Sequence, residues 1–403
     1  MENIIKFCLF LSVLPQFAFA AKPASNALMP TAGIYINSEG SPIIPLLTNA
    51  TKSIDIEIYT MKDATIHSLL RSAMSRGVKL RIVKEPKPVG DSCDVFETTQ
   101  SNIAECADEQ KLVEEVRASG GSFEPYNKQM LCPNQGGASG SACYEHGKIA
   151  LVDGIALMST GNFDNSNLCI ESDTPTTCNR DYSMVINDPT ITSTLQNIFD
   201  ADLKGVSYNI ATIIPASLNN ILTVSPISLQ PIVDYINTAK ISIDFETQYL
   251  NEPTINSALE AAAKRGVKVS VTTASVCSFG KPAAAEVQKI QDTYSAFDQA
   301  GISSKMFNSS NKVNGHAGYE HAKAIVVDGE SAWMGSENGS TESMTENREF
   351  GIIFSESSWV QKISNVMIAD HDSVDSETWQ ESLNCTKDHE GVANNALKKI
   401  GVH

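Results

Sequence analysis

Apolar and polar positions alternate most clearly in Ser53-Ile-Asp-Ile-Glu-Ile-Tyr59, the pattern of a half-buried strand. The same pattern returns 189 residues later as Ser242-Ile-Asp-Phe-Glu-Thr-Gln248. In each copy a helical stretch follows, such as Thr254 to Lys264, closing on Arg-Gly before a second strand, as at Val267 to Thr272. Arg76-Gly-Val-Lys79 and Arg265-Gly-Val-Lys268 keep that offset, whereas Tyr144-Glu-His-Gly-Lys148 and Tyr319-Glu-His-Ala-Lys323 are 175 apart. The first copy therefore carries about fourteen extra residues before its histidine. A strand-helix unit written twice predicts an α/β protein of two homologous halves, 28–205 and 206–383, each around a central sheet. Gly-, Ser- and Asn-rich loops at 134–141 and 308–318 lead into the histidines, and a short polar tail, 384–403, ends the chain.

Met1 to Ala20 has a single Lys6, an apolar run Phe7 to Leu14 and a small-x-small ending, Ala18-Phe19-Ala20. This reads as a secretory signal peptide cleaved after Ala20, and the apolar run is shorter than the ~20 residues of a membrane span. Ile210 to Ile236 is interrupted by Pro215, Asn219, Asn220 and Pro226 and is not a span either. The expected location is secreted or periplasmic. Eight cysteines remain after the leader, and an even count in an exported chain implies disulfides, with Cys169 and Cys178 the nearest neighbours. No C-x-x-C pair favours zinc.

With 42% apolar and 19% charged residues in 403, the chain is neither a disordered acidic tail nor a membrane bundle. Its formal charge is −17, from 30 Lys and Arg against 47 Asp and Glu. Such a balance repels polyanions unless basic groups are gathered locally, which excludes a general nucleic-acid coat protein.

The chemistry lies in the repeated segment His146-Gly-Lys148, four apolar residues, Asp153-Gly154, then Ser159-Thr160-Gly161-Asn162. The second copy reads His321-Ala-Lys323, Asp328-Gly329, and Gly335-Ser336-Glu337-Asn338. On a strand, positions i and i+2 share a face, so His and Lys emerge together before the chain turns at Asp-Gly. A turn centred on 153–155 sets Asn162 opposite His146 and Thr160 opposite Lys148; a four-residue turn in the second copy sets Asn338 opposite His321. Lys148 and Lys323 can neutralise a phosphodiester oxygen, and Asn162, Asn338, Thr160 and Ser336 can donate to it. The imidazoles can attack phosphorus or carry a proton. Two copies about a pseudo-twofold axis place His146 and His321 on opposite sides of one phosphorus, as in-line displacement requires.

Asn179-Arg180-Asp181 and Asn347-Arg348-Glu349 follow the two motifs. An acid repeated after a catalytic histidine is a candidate orienter of its Nδ1 proton. Seventeen positions separate Asn162 from Asn179 but nine separate Asn338 from Asn347, so the first copy holds eight extra residues, bracketed by Cys169 and Cys178. This insertion reads as a stapled loop near the mouth of the site.

Paired His-x-Lys-x4-Asp motifs with Gly-Ser-x-Asn and Asn-Arg-acid resemble the phospholipase D superfamily over nearly the whole mature chain. The resemblance implies two α/β/α sandwich halves sharing one active site, with a phosphohistidine intermediate and no required metal or cofactor. Carried onto this sequence, His146 resembles the nucleophile and His321 the acid/base. Lys148, Lys323, Asn162 and Asn338 resemble the phosphate clamp, and Asp153 and Asp328 members of the catalytic motif that brace it from the turn. The first copy departs from the pattern in having Ser159-Thr160 for Gly-Ser.

Glu57 and Glu246 stand at one repeated strand position, within reach of the site or exposed. His316 lies in a loop before the second motif; His67, His371, His389 and His403 have no repeated partner and read as structural or surface residues. Asp370-His-Asp372, which suggests a metal cluster, falls where the first copy has Asp200-Ala-Asp202 and reads as a repeat-terminal acidic turn. Three functions fit: a phospholipase D hydrolysing a phospholipid or exchanging its headgroup, an exported metal-independent nuclease, or a non-enzymatic binding module. No His or Lys is missing, which disfavours the last, and the negative charge favours lipid over nucleic acid. The expected partners are a phospholipid substrate and a transient membrane surface, with nucleic acid under the alternative, and the expected state is a monomer.

Overall fold

The computed structural model describes residues 28–89, 93–97, 104–132, 143–170, 177–280 and 282–385. The expected leader, the loop at 134–141, His389, His403 and nearly all of the tail lie outside them. In the first half the strands are β1 (Gly33–Ile36), β2 (Ser53–Ile58), β3 (Lys79–Lys84), β4 (Ser122–Pro125), β5 (Lys148–Val152), β6 (Ile155–Ser159) and β7 (Tyr182–Ile186). They form one sheet in the order β1-β7-β6-β5-β2-β3-β4. The second half has β8 (Leu222–Val224), β9 (Ser242–Thr247), β10 (Lys268–Ala274) and β11 (Ser303–Phe307), then a small hairpin of β12 (Lys312–Val313) and β13 (His316–Ala317). It ends with β14 (Ala324–Val327), β15 (Ser331–Gly335) and β16 (Phe350–Phe354). Its order, β8-β16-β15-β14-β9-β10-β11, repeats the first sheet strand for strand. The hairpin interrupts the stretch 308–318 expected as loop.

Local signals set the helices. Asp63 caps the helix Ala64–Ser75 by accepting from the amides of Thr65 and Ile66, and Asp188 does the same for Pro189–Lys204. The helix expected at Thr254 to Lys264 runs Pro253–Lys264, with proline where its missing N–H costs nothing.

Alternation along the central strands divides the cores. Ile149 and Leu151 of β5 and Ala324 and Val326 of β14 join a cluster containing residues of both halves, while Ala150, Val152, Ile325 and Val327 turn to the core of their own half. Each sheet is therefore buried on both faces, between helices and the other half.

Both Asp-Gly turns are tighter than the sequence reading assumed. Val152 pairs with Ile155, leaving a two-residue turn in which Asp153 (φ 52°) and Gly154 (φ 90°) are both left-handed, the hairpin type whose twist matches the strands. Val327 pairs with Ser331 across three residues rather than four. Each register thus shifts by one, and Lys148 falls opposite Ser159, not Thr160.

The halves are locked together reciprocally. Arg348 of the second half is buried against Asp202 of the first, with Nε–O 2.9 Å, and donates also to Ser225 O and Tyr208 Oη. Arg180 of the first half pairs with Asp370 of the second at 2.5 and 2.9 Å. Asp370 therefore matches Asp202, two positions from the alignment assumed above, and belongs to a buried ion pair rather than an acidic turn. Four disulfides, Cys93–Cys106, Cys132–Cys143, Cys169–Cys178 and Cys277–Cys385, tie peripheral segments to this frame.

Arg348→Ala strands a buried carboxylate and is expected to cost about 3–5 kcal/mol of unfolding free energy in urea titrations. Replacing the pair together, as Arg348→Met with Asp202→Leu, should cost markedly less.

Candidate active site

His146 and His321 do not lie on the strands that follow them. Each sits in the extended segment just before, held by backbone from the opposite half. His146 N donates to Arg348 O at 2.9 Å, and Arg348 N to Tyr144 O at 2.8 Å. Symmetrically, His321 N donates to Arg180 O at 3.2 Å and Arg180 N to Tyr319 O at 3.0 Å. These parallel bridges, Glu145 with Arg348 and Arg180 with Glu320, carry each Asn-Arg-acid segment across the boundary.

The acids are consequently exchanged. Glu349 accepts from His146 Nδ1 at 2.8 Å, and Asp181 pairs with His321 Nδ1 at 2.8 Å. The sequence reading gave each acid to the histidine of its own copy; the bridges reverse that assignment. With Nδ1–H directed at a carboxylate, Nε2 of each ring is left to face substrate.

Burial pushes both imidazoles down to about 4 against the pull of their carboxylates, so both are neutral at pH 7. Burial likewise lowers Lys148 to about 8 and Lys323 to about 7. Each of the four groups feels a charge from the other half: Lys323 bears on His146, Glu349 on Lys148, and Lys148 on His321 and Lys323. They form one site, whose concentrated positive charge a phosphodiester anion relieves. Both Nζ groups donate to the carbonyl of the histidine two residues before.

The remaining expected residues divide by position. Asn162 and Asn338 have buried side-chain oxygens without a hydrogen-bond partner among the described residues; an oxygen accepts, so it is the amide Nδ2 of each that can donate to a phosphodiester oxygen. Thr160 donates to Asp181 Oδ1 at 2.8 Å and accepts from Tyr182 N, and Ser336 accepts from Phe350 N at 3.0 Å. Both hydroxyls thus brace the strands that carry the acids. Asp153 and Asp328 are five residues along from their lysines, roughly 16 Å. Asp153 accepts from the amides of Thr51, Lys52 and Ser53, and Asp328 from those of Lys240, Ile241 and Ser242. They clamp the hairpin turn to the start of β2 or β9 and do not touch the site.

Several residues were not singled out as site residues. Tyr59 packs edge-on to His146 at 4.7 Å and under Lys148 at 5.4 Å, yet its repeat position holds Gln248, so repetition gave no signal. Gly161 lets Asp181 approach; a Cβ there would stand 2.6 Å from Asp181 Cγ. Asn167 donates to Asp181 Oδ2 at 2.8 Å. Glu57 and Glu246 are buried, each beside the glutamate preceding the histidine, Glu145 or Glu320. Burial raises all four; for Glu145 and Glu246 the value is about 8. The shift favours the protonated form of each carboxyl, which lets them lie face to face. Glu246, Glu320 and Asp370 are spaced as metal ligands could be, but Tyr182 Oη and Arg180 already bond two of them. His67 bonds Asp108 and Met61 O, and His371 meets Thr272 and Ser303, structural roles both. His316 is half-buried in β13.

Two reciprocal His-acid pairs and two lysines on a duplicated α/β frame define a phosphoryl-transfer centre of a two-motif class. A family model described as cardiolipin synthase, PLD-like domain, matches residues 43–203 and 232–371, most of the chain, and the protein belongs to this phospholipase D-like family of phosphodiesterases and phosphotransferases. The fold is similar to phosphatidylserine synthase of Haemophilus influenzae Rd KW20, at 14% identity over 93% of this chain and 96% of that one, TM-score 0.59. It is also similar to polyphosphate kinase of Porphyromonas gingivalis, at 15% identity and TM-score 0.53 over 81% of this chain; the match covers 48% of the kinase, so this chain spans about half its length. Nuc of Salmonella typhimurium, a phospholipase D family member, is 25% identical over 37% of this chain and 91% of its own, TM-score 0.31. No curated protein matches the sequence.

The raised carboxyls set a pH dependence of stability. Glu246 binds its proton more tightly folded (about 8) than unfolded (about 4.5), so that contribution is whole below about 4.5 and lost as pH rises through about 8. Melting temperatures followed from about pH 5 to 9 should fall on the alkaline side, and Glu246→Gln should flatten that fall.

Proposed function

We propose that the protein is an exported phospholipase D-type enzyme that hydrolyses phospholipid phosphodiesters, or transfers the phosphatidyl group to another alcohol, through a phosphohistidine. The observation carrying this reading is the reciprocal pairing of His146 with Glu349 and His321 with Asp181 around both lysines. His146 Nε2 attacks phosphorus and the bond to the leaving oxygen breaks, that oxygen taking a proton from His321. A bound diester anion favours the protonated form of His321 needed for this step. His321 then takes a proton from water or a second alcohol, whose oxygen attacks phosphorus and breaks the P–N bond, restoring His146. Two in-line displacements give retention at phosphorus.

An inequality between the two pairs supports these roles. Asp181 accepts three side-chain donors, from His321, Thr160 and Asn167. Burial would raise its carboxyl, but His321, Lys323 and Asn167 together hold it below its ordinary value. A firmly anionic partner suits the imidazole that must become cationic, His321. His146 keeps 13% of its side-chain surface exposed against 5% for His321, which suits the nucleophile.

A lipid substrate is supported by the negative charge and by a cleft of about 240 Å³ at the ends of β9 and β10, walled by Tyr249, Leu250, Val276, Ile290, Tyr294 and Met306. Its wall residue Tyr249 acts electrostatically on Tyr319, which packs edge-on to His321 at 5.7 Å. The four disulfides and the Met1 to Ala20 pattern support export.

Purified protein in EDTA should release headgroup from phosphatidylcholine or phosphatidylethanolamine vesicles and leave single-stranded and plasmid DNA intact. DNA cleavage without headgroup release would instead make it a nuclease. His146→Ala should abolish turnover of every diester. His321→Ala should lose about 10²–10⁴-fold in the first release of an alkyl alcohol but far less in the burst release of p-nitrophenol, whose leaving group needs no proton, while hydrolysis of the phosphohistidine slows for both. Equal losses in the two release steps would remove the assigned roles.

A further inference from the structure

Resting on the double displacement proposed above, we propose that Asn167 is a positioning residue for it. Asn167 completes the set of donors that fixes Asp181, and through Asp181 it fixes the ring orientation and Nδ1 proton of His321. The Cys169–Cys178 disulfide, which helps tie the helix of Asn167 to the strand entry of Asp181, is then part of the reaction apparatus.

Asn167 is buried, with 5% of its surface exposed, in the short helix Asn165–Leu168 just before Cys169. Its Nδ2 donates to Asp181 Oδ2 at 2.8 Å and stands 3.2 Å from His321 Nδ1. The other oxygen, Asp181 Oδ1, serves His321 and Thr160. Without the Asn167 amide, Oδ2 loses its side-chain donor in a buried site, and a carboxylate so placed turns or takes up a proton. Either change weakens its hold on His321.

Asn167 is itself held from behind. Asn37 Nδ2 donates to Asn167 O at 3.2 Å and also to Asn179 O, two residues before Asp181. Asn179 N donates to Ser166 O at 2.8 Å. The Cys169–Cys178 disulfide closes the same loop, with Cys169 Sγ 3.2 Å from Asn37 Nδ2. The helix carrying Asn167 and the strand entry carrying Asp181 are thus tied together at three points.

The second half does this differently. Glu349 receives its other donor from Asn347 in its own motif, at 3.2 Å. Asn179, the counterpart of Asn347, accepts from Tyr319 N at 3.4 Å just as Asn347 accepts from Tyr144 N at 2.9 Å, but the donors to Asp181 seen among the described residues do not include it. The asparagine donor of Asp181 therefore comes from outside the repeated motif, whereas that of Glu349 comes from within it.

Asn167→Ala, with Asn167→Ser as a milder variant, would be compared with wild type by kinetics on an alkyl and a p-nitrophenyl diester and by proton NMR of the downfield His321 Nδ1–H. Loss of one donor is expected to lower kcat on the alkyl ester about tenfold with KM little changed, and to spare the burst release of p-nitrophenol from the p-nitrophenyl ester. Asp181 should lose a proton less readily, so the acidic limb of the kcat profile should move to higher pH, and the downfield resonance should shift or broaden. Unchanged kcat, acidic limb and resonance in a folded variant would overturn the proposal. If wild type cleaves no diester, the double displacement fails, and the resonance still decides whether Asn167 fixes His321.

Discussion

The site depends on one constraint: the backbone entering each His-x-Lys segment is bridged to the Asn-Arg-acid segment of the other half. Two amide-carbonyl pairs on each side, 144–146 with 348 and 180 with 319–321, carry this exchange. Because the strands leave little freedom on either side, the bridges decide which carboxylate meets which imidazole. Neither half alone contains a histidine with its acid. Arg348–Asp202 and Arg180–Asp370 repeat the exchange one layer deeper, so each motif arginine anchors to the terminal helix of the opposite half. Buried pairs of this kind give little net stability over an apolar replacement, but a wrong docking of the halves leaves both charges unmet, which makes them a device for alignment.

The electrostatic design follows from burial. Lysines, imidazoles and carboxylates lie within a water-poor boundary, where like charges act strongly on one another. The site is held in a state that an anion improves: the lysines are pushed toward losing protons, and a phosphodiester reverses that pressure. The glutamates behind the motifs take the other course: burial raises them toward the protonated form, which lessens the negative charge set against an anion. Glu337, where the first half has Gly161, is also raised to about 8 by burial and by Glu349, and remains a neutral neighbour.

Much of this was legible in the sequence, for identifiable reasons. A duplicated motif multiplies every weak signal by its copy, so the two halves, the histidines and the lysines could be read directly. The alternation of Ser53 to Tyr59 marked a central strand. Register was missed by one because Asp-Gly was placed in turns one residue too long, although two left-handed residues favour the shorter hairpin. The crossed pairing of acids was missed because adjacency along the chain suggests a partner in the same copy, while the bridges that overrule it join residues 139 and more positions apart. The burial of Glu57 and Glu246 could not be read, since strand alternation alone does not say whether one face or both are covered. Tyr59 and Asn167 were silent because nothing repeats at their positions.

That silence bears on how a twofold frame supports a reaction that is not twofold. Phosphoryl transfer asks one imidazole to bond phosphorus and the other to move a proton, and identical environments would serve each task equally. The repeated residues supply what both steps share: cationic lysines, amides for the oxygens, a carboxylate behind each ring. The unrepeated residues supply the difference. Tyr59 flanks His146 alone, while Asn167 and the disulfide-tied turn gather on the carboxylate of His321 alone. In a duplicated enzyme the positions where the copies disagree therefore separate the two roles, and these are the positions that a search for repetition discards.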